Sequence, residues 1–289
     1  MSLYPSHWND TQQTIKGILM LTQFEKWFFD LRGYFVIKNA VSKKDIKEMV
    51  KLAEAWYDSK EKLPEPMFSN FETSAAKYLY NFHYVEKVYE NLVLNKEILR
   101  FVNGIQRNNT RVYDIVLAKT NTQNKETILH SGFEGGFQDP NEQFKITNNE
   151  IFASFVNVGV SLVDIPAHLG FTCLPGTHKG NFKIPEGISL YDDPPIVVNV
   201  PVNAGDVIIF TPILRHGARA WTEKYPRYTV FMRYIYAHQF HSIDSDRWPP
   251  YEKYKNNISD ELYELESRDH GQRKKLYEYL KNNSISINK

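Results

Sequence analysis

Between Arg111 and Tyr236 the chain runs through short segments rich in β-branched and aromatic residues, with no helical pattern between them. These segments are Val112–Lys119, Thr127–His130, Ile151–Val163, Ile196–Val200, Asp206–Thr211 and Tyr228–Tyr236. Clusters of Gly, Pro, Asn and Asp separate them. Branched and aromatic side chains suit the pleated surface of a strand, and the clusters supply turns. Strands this frequent, with no helices to carry parallel crossovers, predict an antiparallel sandwich or barrel.

The flanks read differently. Apolar residues recur at helical spacing from Leu21 to Leu31, Gly33 breaks the pattern, and Tyr34–Ile37 reads as a short strand. Ser42, with Asp45 three places on, is a candidate cap for a helix through Met49, Leu52 and Trp56, and Pro64 and Pro66 close that region. After Trp248-Pro249-Pro250 the chain turns charged and helical, in Asp260–Leu265 and again in Gln272–Leu280. This tail reads as a solvent-facing helical cover. No internal repeat or low-complexity linker divides the chain. One domain over 1–289 is expected, with helical support over about 20–110, the β core over 111–240 and a helical extension over 241–289.

Thirty-five basic residues stand against thirty-four acidic ones, so charge offers no case for a nucleic-acid polymer or a charged membrane surface. Cys173 is the only cysteine, which excludes an intrachain disulfide and a cysteine-based zinc site. In a strand-like segment it reads as a small buried hydrophobe. The N-terminus lacks the profile of a signal peptide, and Ile15–Phe29 is broken by Lys16, Gln23, Glu25 and Lys26. No membrane span is expected and a cytoplasmic location follows; the Asn-X-Ser/Thr matches at Asn9, Asn108, Asn257 and Asn282 then read as chance. No dinucleotide or phosphate-loop glycine motif and no nucleophile elbow occurs.

The chemistry rests on histidines. His130 ends a strand and precedes Ser131-Gly132; His216 follows Pro212-Ile213-Leu214-Arg215 and precedes Gly217; Arg227 lies eleven residues further on. Neutral imidazole nitrogens suit Fe(II), and a guanidinium is a planar fork for a carboxylate. A single strand histidine is usually an ordinary core or surface residue. The company these two keep sets them apart. Leu174-Pro175-Gly176-Thr177-His178-Lys179, Ala204-Gly205-Asp206 with its following strand, His216-Gly217 and Arg227 come in that order.

In these pieces, and in Arg32-Gly33-Tyr34-Phe35-Val36-Ile37, Leu129-His130 and Leu162-Val163-Asp164, the chain resembles the phytanoyl-CoA dioxygenase-like branch of the Fe(II)/2-oxoglutarate-dependent oxygenases, from about Gln23 to Tyr236. The resemblance implies a mainly β fold with flanking helices, a cupin-like double-stranded β-helix or jelly roll. It implies Fe(II) on His130 and His216, 2-oxoglutarate with its distal carboxylate on Arg227, and O2 and a small molecule as substrates. His178 falls in a Pro-Gly-Thr-His turn that is usually structural, and Asp206, before a strand, reads as turn-stabilising. Lys119 and Thr122 read as surface positions.

One departure matters. The family's usual triplet is His-X-Asp or His-X-Glu, and here it is His130-Ser131-Gly132. Glycine has no ligand atom. Three readings stay open. In the favoured one a halide, chloride first, takes the place at Gly132, and the oxidised carbon is chlorinated. In another, Glu134 or a water fills the third place in an ordinary hydroxylase, although Gly132 disturbs the strand that would bring Glu134 round. In the third the site is inactive and the protein binds a small molecule or a partner. The substrate's identity and the oligomeric state are not legible in the chain.

Overall fold

Two side-chain caps start the N-terminal helices. Thr22 accepts from the Glu25 backbone N–H at 3.1 Å, and the Glu25 carboxylate takes the Thr22 N–H at 2.8 Å, a reciprocal capping box opening α1 (Gln23–Arg32). Gly33, at φ +78°, stops it, and β1 (Tyr34–Ile37) follows. Ser42 caps α2 (Lys43–Asp58) through the Asp45 N–H. In this computed structural model the described residues are 21–59, 62–131, 143–180, 196–239, 252–267 and 274–282.

The remaining elements follow in order: β2 (Phe68–Glu72), β3 (Ala76–Tyr80), α3 (Lys87–Val93), α4 (Lys96–Gln106), β4 (Thr110–Thr120), β5 (Thr127–His130), β6 (Phe144–Thr147), β7 (Glu150–Ala153), β8 (Phe155–Ser161), β9 (Gly170–Cys173), β10 (Val198–Asn199), β11 (Val207–Phe210), β12 (His216–Arg219), β13 (Arg227–Tyr236), α5 (Asp260–Glu266) and α6 (Lys274–Asn282). An antiparallel seven-stranded sheet runs β1-β11-β8-β13-β4-β3-β2, and a four-stranded one runs β10-β9-β12-β5. The expected jelly roll is the fold.

Alternation along β13 divides the large sheet into two faces. Tyr228, Val230, Met232 and Tyr234 share a core with Phe29, Met49, Phe101 and Ile105 of the helices. Arg227, Thr229, Phe231 and Arg233 therefore face the other way, into the roll. There Tyr34, Phe210, Leu214, Cys173 and Trp221 form a second core at the β1–β11 end, bridging the two sheets.

The tail differs from the sequence reading. Leu262, Leu265, Leu276 and Leu280 join the main core, and buried Glu266 accepts from the Tyr84 hydroxyl and meets His83 Nε2 at 2.8 Å. Apolar residues one turn apart bury one face, so the extension is docked as well as helical. The segment read as helical support also differs, because β1, β2 and β3 from it extend the large sheet. The continuous run read over Ile151–Val163 is two strands, β7 and β8, broken at Ser154.

Asp206 and His178 each clamp distant segments. Buried Asp206 accepts from Lys38 Nζ at 2.8 Å, the Asn39 N–H at 2.9 Å and the Asn203 N–H at 2.8 Å, tying the turn after β1 to the turn before β11. Gly205 beside it has φ +91°, and a Cβ there would sit 2.6 Å from the Val41 carbonyl oxygen. His178 lies edge-on to Phe144, ring centroids 4.6 Å apart, and donates from Nε2 to the Asp30 carbonyl at 3.0 Å. Its ring occupies the space above Gly33, where a Cβ would come within 2.5 Å of Nδ1.

Burial, with the Lys179 charge adding, pushes His178 down to about 4 against the opposing Asp30 carbonyl and side chain. Its ordinary value is 6.5, so below that pH the unfolded chain takes up a proton that the folded state refuses until about 4. Stability from this group is complete above pH 6.5 and falls as pH drops through that window, by up to about 3 kcal/mol. Denaturant melts at pH 7 and pH 4.5 should show a smaller acid loss in His178→Gln than in the unaltered protein. Equal losses would show that this imidazole is not the group concerned.

Candidate active site

β5 and β12 are neighbours, and their register sets His130 directly across from His216. Cross-strand partners project from the same face. The two ring centroids are 4.4 Å apart at an interplanar angle of 48°. Each ring is held by a carbonyl two residues before it: His130 Nδ1 donates to the Ile128 carbonyl at 2.9 Å, and His216 Nδ1 donates to the Leu214 carbonyl, in the turn leading into β12, at 2.7 Å. A proton on Nδ1 leaves the Nε2 lone pair of both imidazoles for a metal ion, the outer support that metal-binding histidines use.

His216 is walled by Phe210 at 4.6 Å and Phe171 at 6.1 Å. Burial pushes it down to about 4; the Leu214 carbonyl opposes this, while the charges of His130 and Arg233 add to it. It is therefore neutral at pH 7 and needs lose no proton to bind a cation. Cys173 is the partner of His216 on the other side, in β9, and burial pushes its thiol up to about 12. It stays a neutral wall residue.

Deeper in the roll, Arg227 stands opposite Thr120, with Thr229 two residues on along the same face. Its guanidinium carbon lies 5.9 Å from the Trp221 ring, and burial lowers its pKa while Tyr78 opposes the shift. No carboxylate pairs with it among the described residues. Thr120 Oγ1 and Thr229 Oγ1 are buried without partners among the described residues. A desolvated cation flanked by two idle hydroxyls is a receptor for an anion.

The structure thus brings His130 and His216 together and sets Arg227 inside the same roll. Gly132 and Glu134 lie outside the described residues. Among those described, no cluster of three or more His, Cys, Asp or Glu side chains could hold a metal. Lys119 faces outward, its Nζ 3.4 Å from Asp58 Oδ1 and over the Tyr57 ring, and Thr122 is exposed. Thr120, Thr229, Arg233 and Asp114 were not singled out in the sequence. For Thr229 and Arg233 the signal was parity, since the polar residues of β13 fall with Arg227 at odd positions; Thr120 and Asp114 face them from β4.

A jelly roll with two strand-borne imidazoles at its mouth and, within it, an arginine that no carboxylate meets among the described residues is the architecture of the non-haem iron oxygenases. The family model described as Phytanoyl-CoA dioxygenase (PhyH) matches residues 29–228, and the chain belongs to this family, whose class is the Fe(II)/2-oxoglutarate-dependent oxygenases. Among solved structures, HygX from Streptomyces hygroscopicus with nickel and 2-oxoglutarate bound is similar at TM-score 0.62 and 20% identity, over 75% of this chain and 87% of that one. The epimerase SnoN from nogalamycin biosynthesis gives TM-score 0.54 and 17% identity, over 75% and 83%. EctD from S. alaskensis gives 0.58 and 15%, over 78% and 80%. Comparison with curated protein sequences returns no match. Among the described residues, no helix is long and apolar enough to cross a membrane.

Proposed function

We propose that the protein oxidises an unactivated C–H bond of a small molecule with Fe(II) held by His130 and His216 and 2-oxoglutarate held by Arg227, and that the favoured outcome is chlorination. The observation that carries this is the pair of facing imidazoles, each with Nδ1 tied to the carbonyl two residues before it and Nε2 left over. When bound, iron with 2-oxoglutarate and O2 supplies the oxidising power, with succinate and carbon dioxide as co-products. The two histidines hold the ion as neutral ligands. Arg227, with the Thr120 and Thr229 hydroxyls, neutralises and orients the distal carboxylate. Phe171 and Phe210 keep water from the His216 side. HygX and SnoN structures bearing nickel or iron with the same keto acid support the cofactor choice.

Chlorination rests on the triplet His130-Ser131-Gly132, which offers no carboxylate beside the first histidine and so leaves a coordination place for a halide. The test is anaerobic titration of Fe(II) and 2-oxoglutarate, followed by visible absorption with and without chloride. A weak charge-transfer band that chloride shifts, and that stops responding to chloride in Gly132→Asp, is expected. A band indifferent to chloride whose iron affinity collapses in Glu134→Gln would replace chlorination by hydroxylation. No band at all would overturn the oxygenase reading and leave a binding protein.

A further inference from the structure

At the level of the histidine pair the large sheet carries a row of side chains that metal and 2-oxoglutarate do not use. Phe210 of β11, Asn157 of β8, Arg233 of β13 and Asp114 of β4 are successive cross-strand partners. All four therefore project from one face. Phe210 touches the His216 ring, which fixes that face as the one looking across the roll at the imidazoles.

We propose that Asn157, Arg233 and Asp114 form the polar anchor of the substrate pocket, and that they take a neutral donor–acceptor group, such as the vicinal diol of a hydroxylated small molecule. This rests on the oxygenase reading above. Asn157 Oδ1 is buried and has no partner among the described residues, so it calls for an O–H or N–H donor. Asp114 takes one arm of Arg233, through Nη1, and the remaining guanidinium N–H groups have no acceptor among the described residues. They call for an oxygen.

Charge narrows the class further. Arg233 and Asp114 cancel, and the charge of Arg227 is answered by 2-oxoglutarate, so this level offers no free cation to a polyanion. An alkyl chain here would leave Asn157 Oδ1 and the spare Arg233 donors unsatisfied. A hydroxylated carbon skeleton meets both conditions. Its C–H side has a wall in Phe231, two residues before Arg233 on the same face, whose ring lies over Gly159; a Cβ there would be 3.6 Å from it.

Saturation-transfer NMR on the full chain loaded with redox-inert zinc and 2-oxoglutarate tests this, with myo-inositol, glycerol, decanoate and decanoyl-coenzyme A as probes. Saturation of at least one hydroxylated probe is expected, falling fivefold or more, relative to the 2-oxoglutarate signal, in Asn157→Leu and in Arg233→Gln. Asn157→Leu nearly keeps the side-chain shape, so it serves should Arg233→Gln fail to fold. Saturation of the acyl probes alone, of none of the four, or of hydroxylated probes equally in the variants overturns the anchor while 2-oxoglutarate still binds. If 2-oxoglutarate itself is not saturated in the unaltered protein, the oxygenase reading has failed and the anchor falls with it.

Discussion

His216→Ala is expected to abolish iron binding, the largest single effect of any substitution in the chain. His216 supplies one of the two strand-borne nitrogens at the site, and its ring is neutral and held in place by the Leu214 carbonyl. Losing only a supporting hydrogen bond of a metal ligand costs about 10–100-fold in affinity, so losing the ligand itself must exceed that. Anaerobic equilibrium dialysis against Fe(II) reads it directly. A thermal melt gives a second reading, because a metal that binds only the folded state raises Tm with concentration. The unaltered protein should show that rise and the variant should not. His216→Gln, which fills more of the space between Phe171 and Phe210, separates lost ligation from lost packing. Were either variant to bind Fe(II) as the parent does, the two-histidine site would be wrong.

Arg227→Gln comes next in size. Truncating one partner of a buried charge pair costs about 2–5 kcal/mol, so the 2-oxoglutarate Kd should rise from roughly 30-fold to several thousand-fold. Arg227→Lys keeps the charge but not the planar fork, and should fall between the two. The cofactor-free protein should respond in the opposite sense. A partly buried guanidinium that no carboxylate meets among the described residues is a cost that the folded chain carries for binding. Removing it should raise stability without 2-oxoglutarate by roughly 1–2 kcal/mol. Calorimetric titration of the metal-loaded protein and denaturant melts of the free one give the two numbers. Lower stability together with unchanged 2-oxoglutarate affinity would make Arg227 a structural residue.

Much of the frame was legible because its signals are local. Ser42 and Asp45 announce a helix start within four residues, Gly33 a helix stop, and the alternation of β13 shows in ten consecutive letters. The hairpin β2–β3 carried no such signal. Phe68–Glu72 is short and mixed, and it becomes a strand by pairing with β3, which in turn pairs with β4. The charged tail hid its docking, since Glu266 looks like a solvated residue until Tyr84 and His83 arrive from far along the chain.

The site divides in the same way. His130, His216 and Arg227 could be named from the chain because their residue types are rare and their order resembles a known family. Asp114, Asn157 and Arg233 could not. In a strand, a charged or amide side chain among apolar neighbours reads as the wet face of a half-buried sheet. Which face is wet depends on what covers it.

The amino-acid order by itself determined the strand-rich core, its helical flanks, the candidate metal and anion residues and the glycine that stands at 132 in place of a carboxylate. Tertiary structure alone decided that His130 stands across from His216, that the odd face of β13 looks inward, and that Asn157, Arg233 and Asp114 share one level with the imidazoles. The reason is that strand register is set between segments far apart in sequence, and a slip of one residue would turn each of these side chains to the opposite face.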